Sequence, residues 1–144
     1  MTNLFFLAIA MFSVGYSSFI IAGLLPQIGQ SFEQPTAKVG QGITSFSLAY
    51  LFSAPVLSLI FGNKKIKLSL LWALGIFLIG NFATYLSSSL FEFLLGRAIA
   101  GIGAGFFTPL CVTIAVNLGH SSNKGKALSI VWGANSAGVV LEFQ

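Results

Sequence analysis

The sequence predicts an all-α, polytopic membrane protein with four complete transmembrane helices and a fifth cut short. Three observations carry that prediction. Hydrophobic residues make up 56% and charged residues 7% of the chain, and the mean hydropathy is +0.91, a balance outside that of ordinary soluble domains. The apolar residues gather into runs of about the 20 residues that a bilayer core requires. The charges are confined: Lys64, Lys65 and Lys67 share one short loop, and Lys124 and Lys126 another. A net charge of +4 placed this way marks no nucleic-acid surface. The expected partner is the lipid bilayer.

The first hydrophobic run, Leu4 to Leu25, has no positive n-region and is too long for the apolar core of a signal peptide. Further spans follow it, so it reads as a retained helix over residues 4–25 that ends at Pro26. Its middle, Ser13-Val14-Gly15-Tyr16-Ser17-Ser18, is unusually polar for contact with lipid. Those hydroxyls can bond back to the helix carbonyls or face a cavity. Their clustering favours the cavity, which makes Tyr16, Ser17 and Ser18 candidate lining residues. Gln27 to Gly42, with Glu33, Pro35 and Lys38, reads as a polar loop. The second span covers 43–61 and holds Pro55, which removes a backbone hydrogen bond and is expected to kink the helix, with neighbouring serines repairing part of the loss. Gly62 to Lys67 is a tight basic loop. The third span, 68–86, contains Asn81, whose amide is expected to bond to another helix.

Ser87-Ser88-Ser89 with Glu92 reads as the turn into the fourth span, 93–117. His120 falls in the loop beyond it, where a lone histidine is expected to be simply solvated. A fifth span opens at Ala127 and contains Gly133, Asn135, Ser136 and Gly138. From Ala127 to Leu141 it has 15 residues, short of the ~20 needed to span, and so reads as truncated. Asn135 is its candidate cavity residue. Residues 142–144 read as a scar or protease-site remnant.

The fourth span organises the rest. From Ala98 to Val116 it has no charge, and Arg97 stands at its head. An arginine at mid-membrane costs roughly 2.5–3.5 kcal/mol on insertion scales. Three environments are open to it: a polar cavity, the outer headgroups reached by snorkelling, or a poorly aligned pair with Glu92 five residues back. Arg97, Gly101, Gly105 and Thr108 share one helix face, while Gly96, Ala100 and Gly103 share the adjoining one. Two faces of small residues let two neighbouring backbones approach closely. A snorkelling arginine needs no such neighbours, so Arg97, Gly101 and Gly105 are assigned to the cavity, with Ser17 and Ser18 as partners for the guanidinium.

The asymmetry of the lysines orients the chain. Both lysine-rich loops are expected in the cytoplasm, which places the N-terminus there as well and Arg97 in the outer half of its helix. Cys111, the one cysteine, rules out an intrachain disulfide and reads as an inert buried thiol. There is no histidine cluster, no paired carboxylates and no Ser/His/Asp set. The chain is therefore expected not to be an enzyme and to need no metal or cofactor.

In order, Gly15-…-Gly23-Leu24-Leu25-Pro26, Ala54-Pro55-Val56-Leu57, Gly80-Asn81, Arg97-…-Gly101-…-Gly105 and Lys124-Gly125-Lys126-Ala127 resemble the first five helices of major facilitator superfamily transporters. The resemblance is greatest to bacterial drug/proton antiporters and arabinose or sugar exporters, and it covers the chain to Leu141. It implies the N-terminal portion of a twelve-helix fold with substrate bound at the midplane between two halves. It also implies efflux of a small molecule driven by protons, a place in the bacterial inner membrane, and either the remaining helices or additional copies as partners. Two positions depart from the family pattern. Leu59 and Ile60 stand where an aspartate precedes the basic loop, and Ser18 stands where many relatives carry an acid in the first helix. The alternative reading is a non-transporting module whose small-residue faces serve only helix packing.

Overall fold

The computed structural model describes residues 2–118 and 122–141. His120 and residues 142–144 therefore lie outside the described part. The order of elements is α1 (Thr2–Ser31), α2 (Thr36–Val39), α3 (Gln41–Phe61), α4 (Ile66–Tyr85), α5 (Leu90–Leu118) and α6 (Lys124–Leu141). No strand occurs among the described residues. Among the described residues four segments are long and apolar enough to cross a membrane: Asn3–Ser31, Thr36–Phe61, Ile66–Tyr85 and Leu90–Leu118.

Two expectations are corrected at the first connection. Helix α1 does not end at Pro26 but continues through it to Ser31. A proline removes one N–H and crowds the carbonyl four residues back, losses that membrane helices absorb. The helix stops where its carbonyls find a different closure. Gln34 N–H donates to Gly29 C=O at 2.9 Å and Glu33 N–H to Gln30 C=O at 3.3 Å, the paired bonds of a Schellman ending. Glu33 takes the left-handed position at φ 52°, where glycine is usual. Nor is Gln27–Gly42 a loop throughout, since it contains the end of α1, the single turn α2 and the first residues of α3.

At the far end of α4 the chain re-enters the membrane through a Ser-x-x-Glu box. Glu92 Oε2 accepts from Ser88 N–H at 2.8 Å and from Ser88 Oγ at 2.9 Å, and Glu92 N–H donates to Ser89 Oγ at 3.3 Å. These bonds satisfy N–H groups that the helix cannot, so α5 begins at Leu90, ahead of the expected 93.

The chain forms two compact units, one of Met1–Ile20 with Thr108–Gln144 and the other of Ile21–Phe107. In the second unit α5 packs on α3 along one face and on α4 along the other, as the two rows of small residues predict. A side chain at Gly101 would strike the Phe46 backbone, and one at Gly105 would strike the Tyr50 carbonyl and Ser53 Oγ. On the other face, Gly96 meets Thr84 and Gly103 meets Phe77, while Gly80 of α4 meets the backbone of Ile99 and Ala100. Residue numbers rise together along α3 and α5 and oppose each other along α4 and α5. The three helices therefore alternate in direction, as successive membrane crossings must. Ser45 Oγ ties α3 to the Leu94 carbonyl at 3.1 Å, and the rings of Phe61 and Phe106 lie 5.3 Å apart.

The outward faces of this unit are apolar. Leu51, Phe52 and Leu59 on α3 and Leu71, Trp72, Ile79 and Phe82 on α4 are all exposed. Apolar surface on this scale suits lipid or further helices, not water. Within α3 the helix runs unbroken past Pro55, with Ser53 Oγ donating to Tyr50 C=O at 3.0 Å and Ser58 Oγ to Ala54 C=O at 2.5 Å. Asn81 donates its amide to Phe77 C=O in its own helix at 2.9 Å.

In the other unit α6 rests against the first half of α1 through two glycines. Gly15 faces the carbonyl and Oδ1 of Asn135, and Gly138 faces Phe12 C=O and Tyr16 N–H. Met11, Val14, Cys111, Ala115 and Val131 are buried here. Helix α6 begins at Lys124, so that Lys124 and Lys126 occupy its first turn.

Candidate functional site

Arg97 is the residue on which a site can be built. It lies two turns into α5, past the Ser88–Glu92 cap, and at 1% exposure it is the largest fully buried side chain among the described residues. Its guanidinium carbon sits 4.5 Å from the centre of the Phe46 ring on α3. Phe46 is itself 4% exposed and packs against Tyr50 with centroids 6.3 Å apart. The geometry follows from spacing. Gly101, one turn beyond Arg97, lets the α3 backbone come into contact at Phe46, and that approach brings the Phe46 ring to the arginine.

The chemistry is that of a fixed cation. A guanidinium does not lose its proton in proteins, and a desolvated cation over an aromatic face gains about 2 kcal/mol or more. This offsets part of the cost of burying the charge. A snorkelling side chain keeps its head in water, whereas this one is enclosed. Glu92, for its part, is committed to the cap of its own helix.

The other candidates fall into two groups. Gly101 and Gly105 accompany Arg97 in the Ile21–Phe107 unit, where both serve the contact of α5 with α3. Tyr16, Ser17, Ser18 and Asn135 belong to the other unit. There Tyr16 is exposed and its ring lies parallel to Phe12 at 6.4 Å. Ser18 Oγ donates to Val14 C=O at 2.6 Å and Ser13 Oγ to Ile9 C=O at 3.0 Å. These bonds are the helix-internal role open to such hydroxyls. Asn135 is half-buried against Gly15. Lys64 and Lys65 are exposed in the turn from α3 to α4, and Lys67 is exposed in the first turn of α4. Among the described residues no group of His, Cys, Asp and Glu could hold a metal ion.

Phe46 was invisible to sequence reasoning. It is one of several aromatics on α3, and no local signal singles it out. The Ser89-x-x-Glu92 cap did have a signal, since a Ser-x-x-Glu pattern ahead of an apolar run marks a helix start.

The profile of the Major Facilitator Superfamily matches residues 7–141. The chain is 34% identical over 129 residues to the MFS-type transporter YbcL of Bacillus subtilis (strain 168), covering 90% of this chain and 33% of that protein. It is 31% identical over 126 residues to the MFS-type transporter YtbD of the same organism, covering 88% and 32%. To the inner membrane transport protein YdhP of Escherichia coli (strain K12) it is 22% identical over 126 residues, again covering 88% and 32%. The chain thus spans about a third of the length of these relatives and corresponds to their N-terminal part.

Proposed function

Because the chain belongs to the major facilitator superfamily, we propose that it supplies the first helices of a secondary active transporter exporting small molecules such as drugs or sugars. Proton exchange as the driving reaction and the bacterial inner membrane as the location are part of the same proposal. They rest on the resemblance of the helix motifs to drug/proton antiporters and sugar exporters. A cytoplasmic N-terminus is part of the proposal and is supported by the lysines around the α3–α4 turn and at the start of α6, since positive loops are retained on that side. The remaining helices of the transporter, or further copies of the chain, complete the substrate path.

The single observation that carries the reading is the buried Arg97. An ionisable residue inside an apolar helix pack is costly, and such residues mark substrate or ion pathways by default. Held on Phe46, the guanidinium is a preset positive charge for an anionic group of substrate or for a carboxylate of the coupling pathway. In the other unit, Tyr16, Ser17, Ser18 and Asn135 are proposed as cavity-lining residues on the strength of their clustering in the sequence. The test is Arg97→Ala and Arg97→Lys in the complete transporter, with surface expression measured beside flux. Alanine should abolish transport at normal expression, and lysine should impair it, because it lacks the planar fork of arginine. Unimpaired flux in the alanine variant refutes the assignment.

One observation favours the second reading, a packing module without transport. Gly101 and Gly105, assigned to the cavity from sequence, both face the α3 backbone. The same pair of variants separates the readings. A packing module loses expression or stability with Arg97→Ala and has no flux to lose.

A further inference from the structure

We propose that the turn between α3 and α4, together with the first turn of α4, binds the phosphate-bearing headgroups of anionic phospholipids through Lys64, Lys65 and Lys67. The inference concerns a different part of the molecule from Arg97 and stands whether or not the chain transports anything. Residues 62–68 are exposed without interruption, so all three ammonium groups are available. Neither α3 nor α4 contains an acidic residue. Along the chain the flanking carboxylates are Glu33, before α3, and Glu92, after α4. These lie beyond helices of 21 and 20 residues, a rise of about 30 Å in each. That is several times the screening length of ~8 Å at physiological ionic strength. Three like charges are thus concentrated within four residues, with the carboxylates that lie along the chain beyond the two flanking helices out of range.

The surroundings of the turn indicate which anion it meets. Leu59, five residues before Lys64, is 87% exposed, and Trp72, five residues after Lys67, is exposed together with Ile60, Leu68 and Leu71. Five helical residues rise about 7.5 Å. The lysines therefore sit at headgroup depth when the apolar flanks enter the acyl region, with Trp72 at the boundary where tryptophan is enriched. The patch is open and has no walls to enclose a soluble phosphate. A lipid, by contrast, offers the phosphate and an acyl chain for the apolar flanks at once. Basic residues beside a membrane span attract anionic lipid in this way, each lysine being worth about a five-fold enrichment.

The test uses Trp72 as reporter in a Trp132→Phe background, with the protein reconstituted in phosphatidylcholine bilayers. Brominated phosphatidylglycerol should quench Trp72 more strongly than brominated phosphatidylcholine at equal mole fraction, with an apparent preference of at least about five-fold, the worth of one lysine. The triple substitution Lys64→Gln, Lys65→Gln, Lys67→Gln should erase the preference, and the triple exchange to arginine should keep it. Millimolar inorganic phosphate should leave it unchanged at constant ionic strength. Equal quenching by the two lipids overturns the proposal, as does a preference that survives the glutamine substitutions. Loss of the preference on adding inorganic phosphate would identify a soluble anion as the ligand and overturn the assignment to lipid.

Discussion

Two glycines on the same helix should respond to the same substitution in opposite directions. Gly75 and Gly80 both lie within α4. A β-carbon at Gly75 would meet nothing within 4 Å, whereas at Gly80 it would sit 2.5 Å from Ala100 Cα and 2.8 Å from the Ile99 carbonyl carbon. Ordinary contact begins near 3.4 Å, and the obstructing atoms are backbone, so no rotamer change relieves them. The whole of α5 has to back away from α4. Overpacking of this kind costs about 1–3 kcal/mol, against about 0.5–1 kcal/mol recovered because alanine is the better helix former. Gly80→Ala should therefore lose up to roughly 2.5 kcal/mol of stability, and Gly75→Ala should gain roughly 0.5–1 kcal/mol. Reversible unfolding of the detergent-solubilised protein, titrated from a mild to a denaturing detergent, reads both. If the Gly80→Ala protein is as stable as the Gly75→Ala protein, α4 and α5 do not meet where the structure places them.

Glu33 occupies the left-handed ending of α1, a conformation costing roughly 1–2 kcal/mol for a residue with a β-carbon. Glu33→Gly should raise the unfolding midpoint in the same titration, and Glu33→Val should lower it. Ser89→Ala removes the hydroxyl that caps α5 and should cost about 1 kcal/mol; no loss would show the cap to be energetically idle. For orientation, Lys65→Cys and Ser88→Cys are each placed in a Cys111→Ala background. A membrane-impermeant thiol reagent applied to intact cells should label position 88 and not 65, and the reverse pattern would invert the proposed topology.

What could be read from the sequence and what could not divides along physical lines. The rows Arg97-Gly101-Gly105 and Gly96-Ala100-Gly103 are statements about one helix, and helical periodicity alone separates them into two faces. The structure gives each face a partner. Which residues of α3 and α4 those faces meet is a matter of register between helices, and no local pattern encodes it. For that reason Phe46, the residue under Arg97, emerged only from the fold. Pro26 misled for a related cause, since its intrinsic preference to end a helix was overridden in context and α1 closed five residues later on the Glu33 turn. Clustering alone does not decide the role of the α1 hydroxyls. Ser13 and Ser18 donate to carbonyls of their own helix, a bond always within reach of such side chains and compatible with facing a cavity.

Both sides of α5 index the helix. A slide of one turn along α3 would bring either Arg97 or Gly105 to the place of Gly101 at the Phe46 backbone, and the slide that brings Gly105 there takes a glycine away from the Tyr50 carbonyl and sets Pro109 in its place. The same slide along α4 would bring Phe107 or Ile99 to the position of Gly103 against the Phe77 backbone, where a side chain has no room. Each side thus works like a key cut for a single position. Any displacement of α5 within this unit has to carry α3 and α4 with it, and Gly101 and Gly103 are the teeth that engage them.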